Sequence, residues 1–216
     1  MSSKSPILHP DDLQYVIQRY KERIDKYGLI FESLCSGSPE KQQLRHSVHA
    51  TALKGDRPEL LDIGCGLGDF YMFLKQQGIT CVYTGYDIVP EYIEKCLSTF
   101  PESNFELRNI LDRGINGDFD SIVMSQVFNN NYSHSDNFEV ICEAIRLAFA
   151  HTRISVSVDM LSTYVDYQNP VLFYYSPEDM FRFARSITPR VCIRHDYRLY
   201  EYCLQLFHFE SEGFIP

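Results

Sequence analysis

The chain has 216 residues, 44% apolar and 23% charged, enough for one well-cored α/β domain with an extension and too few for two sizeable domains. A formal net charge of -9 sets long-range electrostatics against a phosphate backbone, and no strong basic patch stands out, so nucleic acid is not an expected partner. Seven cysteines without a C-x-x-C pair argue against a disulfide framework or a zinc cluster; with no signal-peptide core and no membrane-length apolar run, a cytoplasmic protein is expected.

The first element is an amphipathic helix. Leu13, Val16, Ile17, Tyr20, Ile24 and Tyr27 recur at helical spacing behind Asp11 and Asp12, and Gly28 stops the run. Lys21, Arg23 and Lys26, mixed with Glu22 and Asp25, read as its solvated face. Residues 28–37 read as a flexible loop. Ser38-Pro39-Glu40 then supplies a cap, an N1 proline and a first-turn acid for a second helix reaching about Leu53. His46 and His49 share a face of that helix, but no third ligand accompanies them, and no metal is expected.

Residues 59–70, Glu-Leu-Leu-Asp-Ile-Gly-Cys-Gly-Leu-Gly-Asp-Phe, carry an apolar run into a helix through Gly64, Gly66 and Gly68. Glycines let the backbone turn sharply and approach a ligand closely, while free N–H groups opening a helix offer donors and a positive dipole end. A dinucleotide site would need G-x-G-x-x-G, and Asp69 stands where its last glycine would be, which disfavours NAD and FAD. About 20 residues on, the β-rich run from Cys81 ends in Asp87, where a βαβ unit places a carboxylate for ribose hydroxyls. Pro90 opens the next helix, with Tyr92, Ile93, Cys96 and Leu97 as its buried stripe.

With Asp62 ahead of the glycines, the run resembles motif I of the class I S-adenosylmethionine (SAM) dependent methyltransferases, acid-x-Gly-x-Gly-x-Gly. The resemblance implies SAM as cofactor, S-adenosylhomocysteine (SAH) as product, and Asp62, Gly64, Cys65, Gly66 and Asp87 as binding residues. It also implies that Ile88 and Ile110 bracket the adenine and that Gln126 lies near the methionine end. Asn109 stands where the family usually has an Asp that accepts from the adenine amino group; its amide oxygen could do the same, or Asn109 could be an ordinary turn residue. Arg45 would meet the cofactor carboxylate if its helix folds over the clamp; the alternative is an exposed helix arginine.

The remaining elements are a helix over about 67–77, strands at 105–108 and 119–125, a helix over 136–150 and a strand through Ile154, Val156 and Val158. A helix capped by Ser176, a strand at 191–194 and a last strand over about 201–209 complete the chain. Strands alternating with helices imply a parallel sheet covered on both faces. The resemblance implies an α/β three-layer sandwich with seven strands in the order 3-2-1-4-5-7-6, the last antiparallel. Residues 57–216 would be the methyltransferase domain and residues 1–56 a helical extension that roofs the site.

Ligands bind outside the carboxyl ends of strands in an open parallel sheet, so the segments after strands four, five and six should form the pocket. These contribute Tyr132, Tyr164, Tyr167 and Tyr197 with Asp159, Asp166, His195 and Asp196. Asn129-Asn130-Asn131-Tyr132 resembles the Asn-Pro-Pro-Tyr signature of amino methyltransferases with both prolines absent. A small polar acceptor fits such a pocket. His195, with an unperturbed pKa near ~6.5, is the first candidate for a general base, with Tyr167 and Asp159 next; the alternative for His195-Asp196 is a turn between two strands. The expected activity is methyl transfer to an O or N atom of a small metabolite, natural-product or saccharide intermediate. A protein or nucleic-acid methyltransferase of the same fold and a SAM-binding protein without turnover are the alternatives, and the oligomer is a monomer or homodimer.

Overall fold

The computed structural model describes residues 7–208. Its centre is a seven-stranded sheet in the order β3-β2-β1-β4-β5-β7-β6, as the resemblance implied. The strands are β1 (Glu59–Ile63), β2 (Val82–Asp87), β3 (Asn104–Leu107), β4 (Phe119–Met124), β5 (Thr152–Leu161), β6 (Arg190–Arg194) and β7 (Glu201–Phe207). The pairs from β3 through β5 are parallel, and β7 is antiparallel to both β5 and β6.

Among the described residues seven α-helices accompany the sheet: α1 (Pro10–Tyr27), α2 (Pro39–Ala50), α3 (Asp69–Gln76), α4 (Pro90–Thr99), α5 (Ile110–Arg113), α6 (Asn137–Ala150) and α7 (Pro177–Ile187). Their starts are written in local chemistry. Ser38, Asp136 and Ser176 each accept from backbone N–H groups of the first turn, and Pro39, Pro90 and Pro177 follow their caps. Phe70, Tyr71, Leu74, Ile93 and Cys96 of α3 and α4 pack on one face of the sheet with Leu60, Tyr83 and Val123. On the other face, Ile141, Ile145 and Ala148 of α6 and Met180 and Ala184 of α7 meet Ile122, Val156, Val158 and Leu204. Each face thus removes a continuous apolar surface from water.

Two local readings change. Residues 28–37 are not a simple loop: Phe31–Leu34 is a 3₁₀ turn whose Ser33 is buried and bonded to Tyr92, whose hydroxyl donates to the Ser33 carbonyl (3.1 Å). The strand expected around Ile154 to Val158 runs on to Leu161, because β7 pairs with it as far as Leu161–Glu201. The part of the last expected strand beyond residue 208 lies outside the described residues. Among the described residues no helix is long and apolar enough to cross a membrane.

Candidate active site

The glycine run turns directly off β1. Gly64, Gly66 and Gly68 all have positive φ, and the Gly64 and Cys65 N–H groups donate to the Tyr86 carbonyl (2.7 and 3.0 Å). A Cβ on Gly66 would lie 2.7 Å from Leu34 Cδ2, and one on Gly64 would lie 2.6 Å from Val127 Cγ2. Glycine is therefore favoured in the cradle both by conformation and by space, since a Cβ would be strained there and would push the Leu34 or Val127 side chain aside. Asp87, buried at the end of β2, ties it: Gly66 N–H donates to Oδ2 (2.8 Å) and Val89 N–H to Oδ1 (2.9 Å). Burial raises the Asp87 pKa against those two donors. Asp62 sits deeper, accepting from the Tyr83 hydroxyl (2.6 Å), and burial pushes its pKa up to about 7.

Above this loop lies a cavity of about 140 Å³ at the β1/β4 switch, where the strand order reverses. Its wall includes every residue expected from sequence to hold the cofactor: Arg45, Asp62, Gly64, Cys65, Gly66, Asp87, Ile88, Asn109, Ile110 and Gln126. Asn109 also caps α5, accepting from Leu111 N–H (3.0 Å), so its turn role is real whatever else its oxygen does. Leu13, Val16 and Tyr20 of α1 and Leu34 of the 3₁₀ turn close the cavity from above. That roof is tied down by Asp12, which accepts from Ser133 N–H (2.9 Å) and the Ser135 hydroxyl (2.6 Å), and by Arg19 donating to Asn130 Oδ1 (2.6 Å).

The helix α2 is built into the domain rather than laid over it. His49, fully buried, donates from Nε2 to Asp159 Oδ2 on β5 (2.9 Å) and contacts Ser157 Oγ through Nδ1 (2.8 Å). Burial opposes the charge on His49, but the Cys203 sulfur and Asp159 carboxylate override it and raise the pKa to about 10. Burial likewise opposes ionisation of Asp159, while the His49 bond and charge hold its carboxyl below the ordinary range. His46 lines the cavity and packs on Phe70 and Phe73, and burial lowers its pKa to about 3, so it is neutral there.

Asp159 spends its acceptors on the scaffold. Besides His49 it takes the Ser125 hydroxyl (2.7 Å), the Gln126 N–H (2.8 Å) and the Gln126 amide (2.8 Å). Gln126 has φ of 60°, a left-handed conformation costing a non-glycine residue about 1–3 kcal/mol, and these bonds hold it there. The Gln126 amide also reaches Glu201 Oε2 (3.1 Å).

Glu201 is a buried acid of the cavity wall that the sequence did not single out. It is the first residue of β7, 4% exposed, and it accepts from Arg45 Nε (2.6 Å). Burial first, then the Asp159 carboxylate, raises its pKa to about 7 despite Arg45. Arg45 Nη2 donates to the Ser36 carbonyl (3.0 Å), and its Nη1 is buried with no protein partner. A second, more open cavity of about 770 Å³ lies beyond, with Glu201 in its wall. Tyr20, Leu34, Ser36, Arg45 and Gln126 line both cavities and form the wall between them.

Of the three expected catalytic residues, Asp159 joins this arrangement as a buried acceptor behind Gln126, while His195 and Tyr167 stand apart from it. His195 is exposed after the outermost strand β6, its ring near those of Tyr164 and Tyr202, while Asp196 pairs with Arg194 (2.8 Å). Tyr167 is 76% exposed, and neither it, His195 nor Asp159 lines either cavity. Of the expected pocket tyrosines, Tyr132 lines the cofactor cavity and Tyr164 instead bonds Glu178 at the surface.

The sheet order, the glycine cradle and the acid closing β2 define a class I SAM-dependent methyltransferase. A methyltransferase-domain family model matches residues 38–179, well over half the chain, and the chain belongs to that family. Rv1506c of Mycobacterium tuberculosis, itself named only provisionally as a methyltransferase, is 28% identical over 151 residues, 66% of this chain and 89% of that one. Magnesium protoporphyrin IX methyltransferase from Synechocystis with bound SAM aligns with a TM-score of 0.63 at 13% identity, over 91% of this chain and 97% of that one. A phosphoethanolamine N-methyltransferase from Haemonchus contortus aligns with a TM-score of 0.64 at 12% identity, over 95% of this chain and 50% of that one.

The residues present fit SAM as cofactor: a backbone cradle of three glycines at positive φ, the buried Asp87 carboxylate closing β2 and an orphan buried guanidinium nitrogen on Arg45.

Proposed function

We propose that this enzyme moves the SAM methyl group to an oxygen or nitrogen atom of a small metabolite, natural-product or saccharide intermediate held in the larger cavity. The observation that carries this is the shared wall: the smaller and the larger cavity meet at Arg45 and Gln126, with one buried carboxylate, Glu201, beside them. Bound SAM supplies an already activated methyl group. The protein then has to align the acceptor, exclude water and take a proton where the acceptor is a hydroxyl or an ammonium.

Asp87 takes the ribose and Arg45 Nη1 the cofactor carboxylate, while Ile88, Ile110 and Asn109 surround the adenine. Glu201 is the proton acceptor, since a carboxyl poised near neutrality both ionises at working pH and binds a proton usefully. Residues 10–36 act as the roof, which lifts off the glycine loop with Leu34 to admit the cofactor. Small-molecule methylation is supported by the partly enclosed cavity and by the neighbours above, named for a porphyrin and for phosphoethanolamine.

The test is a panel of candidate acceptors with methyl-labelled SAM, alongside calorimetry with SAM and SAH. Cofactor binding with transfer to a low-molecular-weight acceptor is expected. Binding without transfer to any metabolite pool would favour a non-catalytic SAM-binding protein, and label appearing in protein or RNA would favour the macromolecular reading.

A further inference from the structure

Four buried side-chain atoms among the described residues lack a hydrogen-bond partner, and two of them, Arg45 Nη1 and Asn129 Nδ2, belong to residues lining the larger cavity. Both are donors. The Asn129 amide cannot simply be turned over, because Leu161 N–H donates to its Oδ1 (3.2 Å) and fixes the nitrogen on the other side. Asn129 is only 6% exposed, so an unanswered N–H₂ there is costly unless a ligand meets it.

The charge of the same wall points the same way. Arg19, Arg23, Lys41, Arg45 and Arg198 line it against two acids, Glu32 and Glu201, in a chain whose net charge is -9. Arg45 and Glu201 answer each other. Arg19 and Arg23 donate only to neutral oxygens, those of Asn130, Ser33 and Glu32, the last two through backbone carbonyls. Lys41 and Arg198 hold no side-chain hydrogen bond or ion pair among the described residues. Uncompensated cations around a partly enclosed space focus positive potential into it.

We propose that the acceptor is an amphipathic oxyanion, a carboxylate or phosphate whose charged end is held by Lys41, Arg198 and Arg19, while the buried Asn129 amide, beside Leu161 and Glu201, meets its inner end. This deepens the methyltransferase reading and rests on it. The polarity follows from the rim: Lys41 and Arg198 are exposed at the mouth, whereas Gln126 and Glu201 stand at the inner wall. The anion therefore stays outward and the atom to be methylated points inward. Phe31, Tyr27, Leu172 and Tyr200 supply apolar surface for the body between them.

The experiment titrates the SAH-loaded full chain with phenyl phosphate, phenylacetate and benzyl alcohol at constant ionic strength, in the wild type and in a Lys41→Gln/Arg198→Gln variant. Neither substituted side chain holds a hydrogen bond or ion pair among the described residues, and thermal melts of both proteins check that the variant is folded. One of the two anions should bind at least ~10-fold more tightly than the neutral alcohol, and the variant should lose about 10-fold or more of that affinity, as expected for charge-assisted hydrogen bonds. Whichever anion wins distinguishes phosphate from carboxylate. Equal binding of the neutral probe, no saturable anion binding, or an unchanged affinity in the variant would overturn the proposal. SAH affinity, read in the same samples, should be the same in both proteins; failure to bind SAH at all would count instead against the methyltransferase reading.

Discussion

Glu201→Gln is the substitution that separates the proton-transfer role from the scaffold. The amide keeps the shape and one oxygen for the Arg45 Nε bond of 2.6 Å. Its nitrogen then faces the Gln126 amide nitrogen, which is held by Asp159 at 2.8 Å, so the 3.1 Å bond to Glu201 Oε2 is lost. The amide also leaves the buried Arg45 guanidinium without its ion-pair partner, so with the lost hydrogen bond the variant should be less stable by about 3–5 kcal/mol, a fall on the order of 10 °C in Tm for a chain of this size. The chemical loss is read separately on folded protein, as on the order of 10²-fold or more in kcat for an acceptor that must lose a proton. In the wild type kcat/KM should rise through an apparent pKa near the value of about 7 that burial imposes, then level off, and the rise should vanish in the variant.

Stability carries an independent sign. The folded carboxyl binds its proton more tightly than the unfolded one, so wild-type stability relative to the variant is greatest below the ordinary value of 4.5 and is lost as pH rises through about 7. Thermal melts across that window and a pH profile with the acceptor identified by labelled SAM make the assay. A variant within ~10-fold of wild type, with the same pH profile, would refute Glu201 as the base and leave alignment as the whole contribution.

The cradle is tested by Gly66→Ala, which adds a Cβ 2.7 Å from Leu34 at a positive φ; SAM affinity measured by calorimetry should fall by about 10-fold or more. Asp87→Asn removes a charge that takes Gly66 and Val89 N–H groups at 2.8 and 2.9 Å, and the same titration should show at least ~10-fold weaker SAM binding. His195→Ala and Tyr167→Phe should each leave kcat within ~10-fold of wild type, because both side chains lie outside the two cavities. Asp159→Asn breaks a buried ion pair with His49 and should cost about 3–5 kcal/mol in denaturant melts, with a further loss of SAM affinity as Gln126 leaves its left-handed conformation.

What could be read from the sequence was what lies close together in it. Gly64, Gly66 and Asp87 belong to one strand-helix-strand unit, so a fixed separation along the chain is also a fixed geometry in the fold. Ile88, Asn109 and Ile110 follow from the same rule, standing just past the ends of β2 and β3. The 3₁₀ turn was invisible because its order comes from distant partners: Tyr92 bonds Ser33, and Leu34 rests on Gly66. Likewise the buried state of His49 depends on Asp159, 110 residues away.

The place of His195 outside both cavities has a topological cause. Looking just after each strand is correct for parallel strands, whose carboxyl ends all reach the ligand edge. It fails twice here. β6 does end at that edge, but as the outermost strand it is separated from β5 by β7, so His195 falls beside Tyr164 and Tyr202 rather than near the β1/β4 switch. β7 runs the other way, and Glu201 opposite Leu161 brings its beginning, not its end, to the place where β5 finishes. An antiparallel strand inserted next to a ligand-bearing one therefore offers its first residue to the site. A buried acid in that position, with Arg45 from a helix 156 residues earlier to meet it, is a feature of the assembled sheet and of no single segment.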